Sequence, residues 1–228
     1  MDRSFVFCAY RPWNIQLFQD VIAQHFPSAT LITQKEELTL QKLETLDPEF
    51  VFFPDWSWIV PKEIFSRFTC VVFHAAPLPE FRGGSPLQNQ ILRGITETKL
   101  TAFVMDEGID TGDILLQRDL SLEGHLYQIF DRMTSLTFEL IQEIVAGRFE
   151  RRKQVGDGST FKRRKPSESE LKEGDFENSL SYLYNFMRML EDPYPNAWIR
   201  LGNKRITFKE AEKCGDSTLR VVAEINEI

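Results

Sequence analysis

With 228 residues, 42% of them hydrophobic and 27% charged, the chain has the composition of one globular α/β core plus a modest addition, far from the low-hydrophobicity regime of disorder. A formal net charge of -7 opposes a surface that grips long stretches of phosphate backbone, because such binding needs positive potential, and a tRNA substrate is therefore disfavoured. No run approaches the ~20 apolar residues needed to span a bilayer and the first residues lack the basic start of a secretion signal, so a cytoplasmic address without membrane attachment is expected.

In chain order, apolar runs at 5–9, 30–33, 50–53 and 71–73 read as strands, with amphipathic stretches between several of them. That alternation is the rhythm of a parallel sheet. Residues 74–86, HAAPLPEFRGGSP, carry a histidine from a buried strand into a Pro- and Gly-rich loop that should open a helix near Leu87. Strands at 100–105 and 114–117 follow, separated by the acid- and glycine-rich turn of MDEGIDTGDIL, and Leu126, Ile129, Phe130, Met133, Leu136, Leu140, Ile141 and Ile144 repeat at helical spacing. From about 147 to 175 the chain turns charged and Gly/Ser-rich, an irregular connector; a helix over 180–190 stops at the PYP of 193–195. The short runs at 197–201 and 205–208 flank Gly202-Asn203 and predict a hairpin. A boundary near residue 150 is expected, with a first domain over 1–150 and a connector and small helix-plus-hairpin subdomain over 151–228. Cys8, Cys70 and Cys214 are too few and too dispersed for a disulfide framework or a zinc site, and read as three buried thiols without a metal.

Two motifs carry chemistry. His74 leaves a strand end, where α/β sheets place their sites, and Asp110 follows 36 positions later in the MDEGIDTGDIL turn. Together HAAPLPEFRGGSP and MDEGIDTGDIL resemble the two signatures of the 10-formyltetrahydrofolate-dependent formyltransferase family. The resemblance covers roughly residues 4–150 and implies a Rossmann-like, mostly parallel sheet and an enzyme that moves a formyl group to an amine. TFKRRKP at 160–166 and MRMLEDPYPNAW at 187–198 are similar to stretches of sugar-nucleotide N-formyltransferases, implying a nucleotide-linked amino sugar as acceptor, for surface glycan or nonulosonic acid synthesis.

By that resemblance His74 lies beside the formyl carbon and Asp110 orients it and helps remove the amine proton; imidazole suits the task because it titrates near neutral pH. The family's asparagine two residues before the histidine is Val72 here, which offers no hydrogen bond. A lost oxyanion donor costs ~2.7–4 kcal/mol, so a substitute is expected, Asn89 first and Gln88 second. The resemblance places folate against Trp56, Trp58, Ile59, Met105, Asp106 and Glu107. It places the acceptor near Arg82, Gly83, Gly84, Gln88 and Tyr194, with Arg164 and Arg188 on phosphates.

Three other readings stay open: another folate formyl transfer (to a purine-pathway amine or to methionyl-tRNA), hydrolysis of the formyl group, or an inactive binding homologue marked by Val72. The acidic balance and the short C-terminal tail weigh against the tRNA. No nucleic acid partner is expected, and the C-terminal hairpin could serve a homodimer.

Overall fold

A computed structural model describes residues 3–228. Its elements run β1 (Phe5–Cys8), α1 (Pro12–Leu17), α2 (Ala23–His25), β2 (Thr30–Ile32), α3 (Leu40–Leu46), β3 (Phe50–Pro54), α4 (Lys62–Phe65), β4 (Thr69–His74), β5 (Arg82–Gly83) and α5 (Pro86–Leu92). They continue with β6 (Glu97–Val104), β7 (Ile114–Ser121), α6 (Leu126–Val145), β8 (Thr160–Phe161), α7 (Leu180–Arg188), β9 (Trp198–Leu201), β10 (Lys204–Lys213) and β11 (Leu219–Glu227). A π-helical turn, Phe18–Ile22, joins α1 to α2.

Six strands form one sheet in the order β2-β1-β3-β4-β6-β7. β1 runs parallel to β2 and to β3, β3 runs parallel to β4, and β6 is antiparallel to β4. The expected Rossmann-like, mostly parallel sheet is what the chain forms. β1 and β3 are buried along their whole length, which is why they read as continuous apolar runs rather than alternating ones. On one face Val6, Cys8, Ile32, Leu43, Val51, Phe53, Ile64 and Cys70 make a single cluster. Phe5 packs edge-on against Phe52 with centroids 5.1 Å apart. Each such Phe contributes about 1.5–3 kcal/mol through burial. Thr39 caps α3, its hydroxyl accepting the Lys42 N–H at 3.2 Å.

Two compact units divide the chain, one made of residues up to 82, 98–120 and 130–160, the other of 83–97, 121–129 and 161–228. Each unit is assembled from three stretches of the sequence. The first unit holds the sheet. The second holds α5, α7 and a three-stranded sheet in the order β11-β10-β9. The hairpin at Gly202-Asn203 forms, and β11 adds a third strand that the sequence reading lacks. Ser179 caps α7 by accepting the Tyr182 N–H at 3.2 Å.

The connector also departs from expectation. Arg152 bridges to Ile114 through paired backbone bonds of 2.8 and 2.9 Å, β8 pairs with β5, and single 3-10 turns form at Pro166–Ser169 and Glu173–Glu177. Its polar composition hides this because the order comes from backbone bonds rather than apolar burial. Cys8 and Cys70 are fully buried, and burial pushes the Cys70 thiol up to about 12, but Cys214 is partly exposed, which corrects the expectation of three buried thiols. Among the described residues no helix is long and apolar enough to cross a membrane.

Candidate active site

β4 ends at His74, which is 7% exposed. Its Nε2 lies 2.8 Å from the Phe81 carbonyl oxygen and its Nδ1 lies 3.6 Å from Asp110 Oδ2. A carbonyl only accepts, so Nε2 carries a proton, and Nδ1 faces the Asp110 carboxylate. A proton arriving at Nδ1 would therefore be held by the aspartate. An imidazole placed in this way can take up a proton at Nδ1 beside a carboxylate.

Three loops of the first unit hold this pair. The loop after β4 is anchored by Thr101, whose buried hydroxyl donates to the Ala76 carbonyl at 2.6 Å while accepting from Gln117 Nε2 at 3.0 Å. At its far end the Phe81 N–H donates to Ser159 Oγ at 2.9 Å, and Ser159 donates to Glu80 at 2.5 Å, which fixes the carbonyl that orients His74. The Asp110 turn is held from the connector: Gln154 Nε2 donates to the carbonyls of Asp110 and Gly112 at 2.8 and 2.9 Å, and its Oε1 accepts from Arg82 Nε and Nη2 at 3.0 and 2.6 Å. Asp106 closes the same turn by accepting from the Gly108 N–H and the Thr111 hydroxyl at 3.0 and 2.7 Å.

Asp55 completes the set. Asp55 follows directly on β3, whose last residue Pro54 pairs in parallel with Phe73, and it lies near enough to His74 to feel its charge. Its Oδ2 accepts from Trp13 Nε1 and Asn14 Nδ2, both at 3.0 Å, and Trp13 stacks on Phe130 at 4.2 Å with the rings 6° apart. Burial pushes the Asp55 carboxyl above the ordinary carboxylate range, against the pull of those two donors and of the Arg11 and His74 charges. Asp55, Phe81 and Asp110 all have left-handed backbones, with φ of 53°, 58° and 54°. Three non-glycine residues held in a sparsely populated region around one imidazole mark a site whose surroundings enforce strain.

Sequence reasoning singled out His74 and Asp110, and the structure brings them together. Asp55, Gln154 and Ser159 were missed. Asp55 carries a signal, an acid directly after an apolar strand, whereas a lone Gln and Ser in a polar connector carry none.

Of the residues expected to meet folate, Trp56 packs against Trp58, Tyr10 and Phe53, Trp58 is 37% exposed and Ile59 97% exposed. Together with Lys35, Glu36, Leu38 and Pro61, Trp56, Trp58 and Ile59 line a cavity of 240 Å³. The Trp56 indole N–H is buried without a partner among the described residues. Met105 packs on the core cluster and donates its N–H to the Cys70 carbonyl at 2.8 Å. Asp106 is spent on its own turn, and Glu107 pairs with Lys62, which draws its carboxyl below the usual range.

Several expected acceptor contacts have other employment. Arg82 is tied to Gln154 and to the Asp157 carbonyl. A Cβ on Gly83 would sit 2.3 Å from the Phe161 carbonyl oxygen, and one on Gly84 2.3 Å from Arg163 Cα, so the neighbouring chain requires these glycines without any ligand. Arg188 is 3% exposed; Nη1 donates to the Leu122 and Gly124 carbonyls at 2.6 and 2.9 Å and Nε to Asn185 at 2.9 Å. It is a structural bolt, which corrects its assignment to a phosphate. The Arg164 Nη2 donates to the Glu168 carbonyl at 2.5 Å, and Tyr194 is half-buried. Asn89 donates its amide to the Gly84 and Ser85 carbonyls at 3.1 and 3.0 Å, whereas the buried Gln88 Nε2 has no partner among the described residues. Val72 packs with Leu78, Phe103 and Ile114 in an apolar wall.

Comparison with known proteins supplies what geometry cannot. A family model described as "Formyl transferase" matches residues 18–126, and one described as "Methionyl-tRNA formyltransferase, C-terminal domain" matches residues 166–226. A methionyl-tRNA formyltransferase from Rickettsia typhi is 30% identical over 213 residues, 91% of this chain and 68% of that protein. A solved structure of methionyl-tRNA formyltransferase from Clostridium thermocellum is 41% identical with a TM-score of 0.92, covering 99% of each chain. Against several of the curated relatives it matches the chain spans 38% to 68% of their length. A 4-N formyltransferase from Francisella tularensis is 16% identical with a TM-score of 0.68, covering 88% of this chain and 93% of that one, which speaks to fold alone. The expectation of a nucleotide-linked amino sugar is thereby overturned. The expectation of no nucleic acid partner loses its support with it.

Proposed function

The chain belongs to the formyl transferase family, and from that premise we propose that it moves the formyl group of 10-formyltetrahydrofolate onto the α-amine of methionyl-tRNA. The observation that carries the acceptor is the C-terminal match at 166–226, reinforced by likeness over 99% of the Clostridium thermocellum chain. Net charge argued against RNA because it averages over the surface. Locally Arg151, Arg152 and Lys153 are exposed in the first unit, and Lys162, Arg163 and Lys165 in the second. A few phosphate contacts need only such clusters.

In this reading the walls for the folate donor come from Trp56, Trp58, Ile59 and Met105, and the unpaired Trp56 indole N–H suits a polar edge of a flat heterocycle. The donor supplies an activated formyl carbon. His74 takes a proton from the attacking amine at Nδ1, keeping its Nε2 proton on the Phe81 carbonyl, and Asp110 stabilises the imidazolium so formed. The same Nδ1 proton is then available to the departing folate nitrogen. Val72 leaves the formyl oxygen without the family's asparagine donor. The test is direct: incubate the protein with 10-formyltetrahydrofolate and charged methionyl-tRNA, deacylate, and measure N-formylmethionine, with uncharged tRNA and free methionine as controls. Product from the charged tRNA alone supports the reading; formate release with every acceptor, or none, refutes it.

A further inference from the structure

β11 is the outer strand of the order β11-β10-β9. One edge pairs with β10 from Leu219 to Glu227, and the other bonds to nothing among the described residues. Residues 220–228 are all exposed, including Val221 at 39%, Val222 at 55%, Ile225 at 67% and Ile228 at 60%. A long, apolar, unpaired edge is a template for another strand, and it carries neither proline nor lysine to blunt it. We propose that this edge pairs antiparallel with β11 of a second copy of this chain, joining two three-stranded sheets into one of six.

The side chains specify the register. Strand alternation puts Leu219, Val221, Ala223 and Ile225 on one face and Arg220, Val222, Glu224 and Asn226 on the other. A two-fold axis normal to the sheet keeps equivalent faces together, so it must pass through a residue position. With the axis at Val222, Arg220 faces the partner's Glu224 twice over, Leu219 faces the partner's Ile225, and Val221 faces the partner's Ala223. Moving the axis to Ala223 sets Val222 against Glu224; moving it to Val221 sets Arg220 against Val222. Only the first register matches charge with opposite charge and apolar with apolar. It also extends contacts already present. Arg220 pairs with Glu212 of β10 at 3.3 Å, and Ile225 aligns with Ile206 and, through it, Ile199.

The pairing is independent of the catalytic reading and is tested on the full chain by analytical ultracentrifugation, with thermal melts to show that each variant folds. Wild type should sediment as a dimer. Arg220→Glu and Glu224→Arg should each weaken dimerisation at least about tenfold by setting like charges opposite each other, and the double variant should recover it. Val222→Lys gains Glu210 as its neighbour on β10 yet sets two ammonium groups together at the axis, so it should fold and be monomeric. A wild type that is monomeric at every concentration, a dimer indifferent to the single reversals, or a double variant no tighter than the singles overturns the proposal.

Discussion

His74 has one ring nitrogen committed to the Phe81 carbonyl and the other facing Asp110, so each partner fixes what the other can do. Removing the imidazole (His74→Ala) or the counter-charge (Asp110→Asn) should lower kcat/KM by roughly 10²- to 10⁴-fold, the usual yield of a positioned acid or base, with little change in thermal stability. Val72 permits the opposite experiment. If the formyl oxygen lies over this position, Val72→Asn should raise kcat by up to roughly 10²- to 10³-fold, the value of one oxyanion donor, at some loss of stability from the apolar wall of Leu78, Phe103 and Ile114. An unchanged kcat in a folded variant would place the oxygen elsewhere. Asp55 makes a pH prediction. Its raised carboxyl favours the folded state fully below the ordinary carboxylate range and loses that advantage as pH rises through the raised value. Asparagine keeps an acceptor for Trp13 and Asn14 without the charge. Asp55→Asn should therefore improve Tm relative to wild type more at about pH 7 than at about pH 4, and a difference of opposite sign would show that the charge stabilises its surroundings.

Among elements, β1, β3 and β4 were legible because each is a largely buried apolar run. β1, β3 and β4 fall within a few residues of their expected bounds. α6 was legible from periodicity, although the buried stripe includes Thr137 and leaves Leu136 half-buried. β11 was not legible: every residue after Leu219 is exposed in one chain, so no burial shaped its pattern. The connector was misread because Gln154 and Ser159 act through hydrogen bonds, which leave no trace in hydrophobicity. Arg188 shows the reverse error, a charged residue that looked like a ligand contact and proves to join α7 to the carbonyls of Leu122 and Gly124. Hydrogen bonds from a charged donor are each worth about 1.5–3 kcal/mol, so Arg188→Ala should lose at least about that much stability in urea unfolding. If stability were unchanged while KM for the acceptor rose, the arginine would belong to the binding site after all.

For the molecule as a whole, the sheet and the His74–Asp110 pair follow from motif and pattern, while the acceptor does not, because acceptor choice depends on surface that a net charge of -7 averages away. We propose that one imidazole with its aspartate performs formyl transfer to an aminoacyl-tRNA. The most direct measurement is single-turnover formation of N-formylmethionyl-tRNA from 10-formyltetrahydrofolate, wild type beside His74→Ala. Wild type should form product and the variant should lose it, with folate binding retained in both. Equal product from the two proteins, or tight binding of both substrates by the wild type without any product, would contradict it.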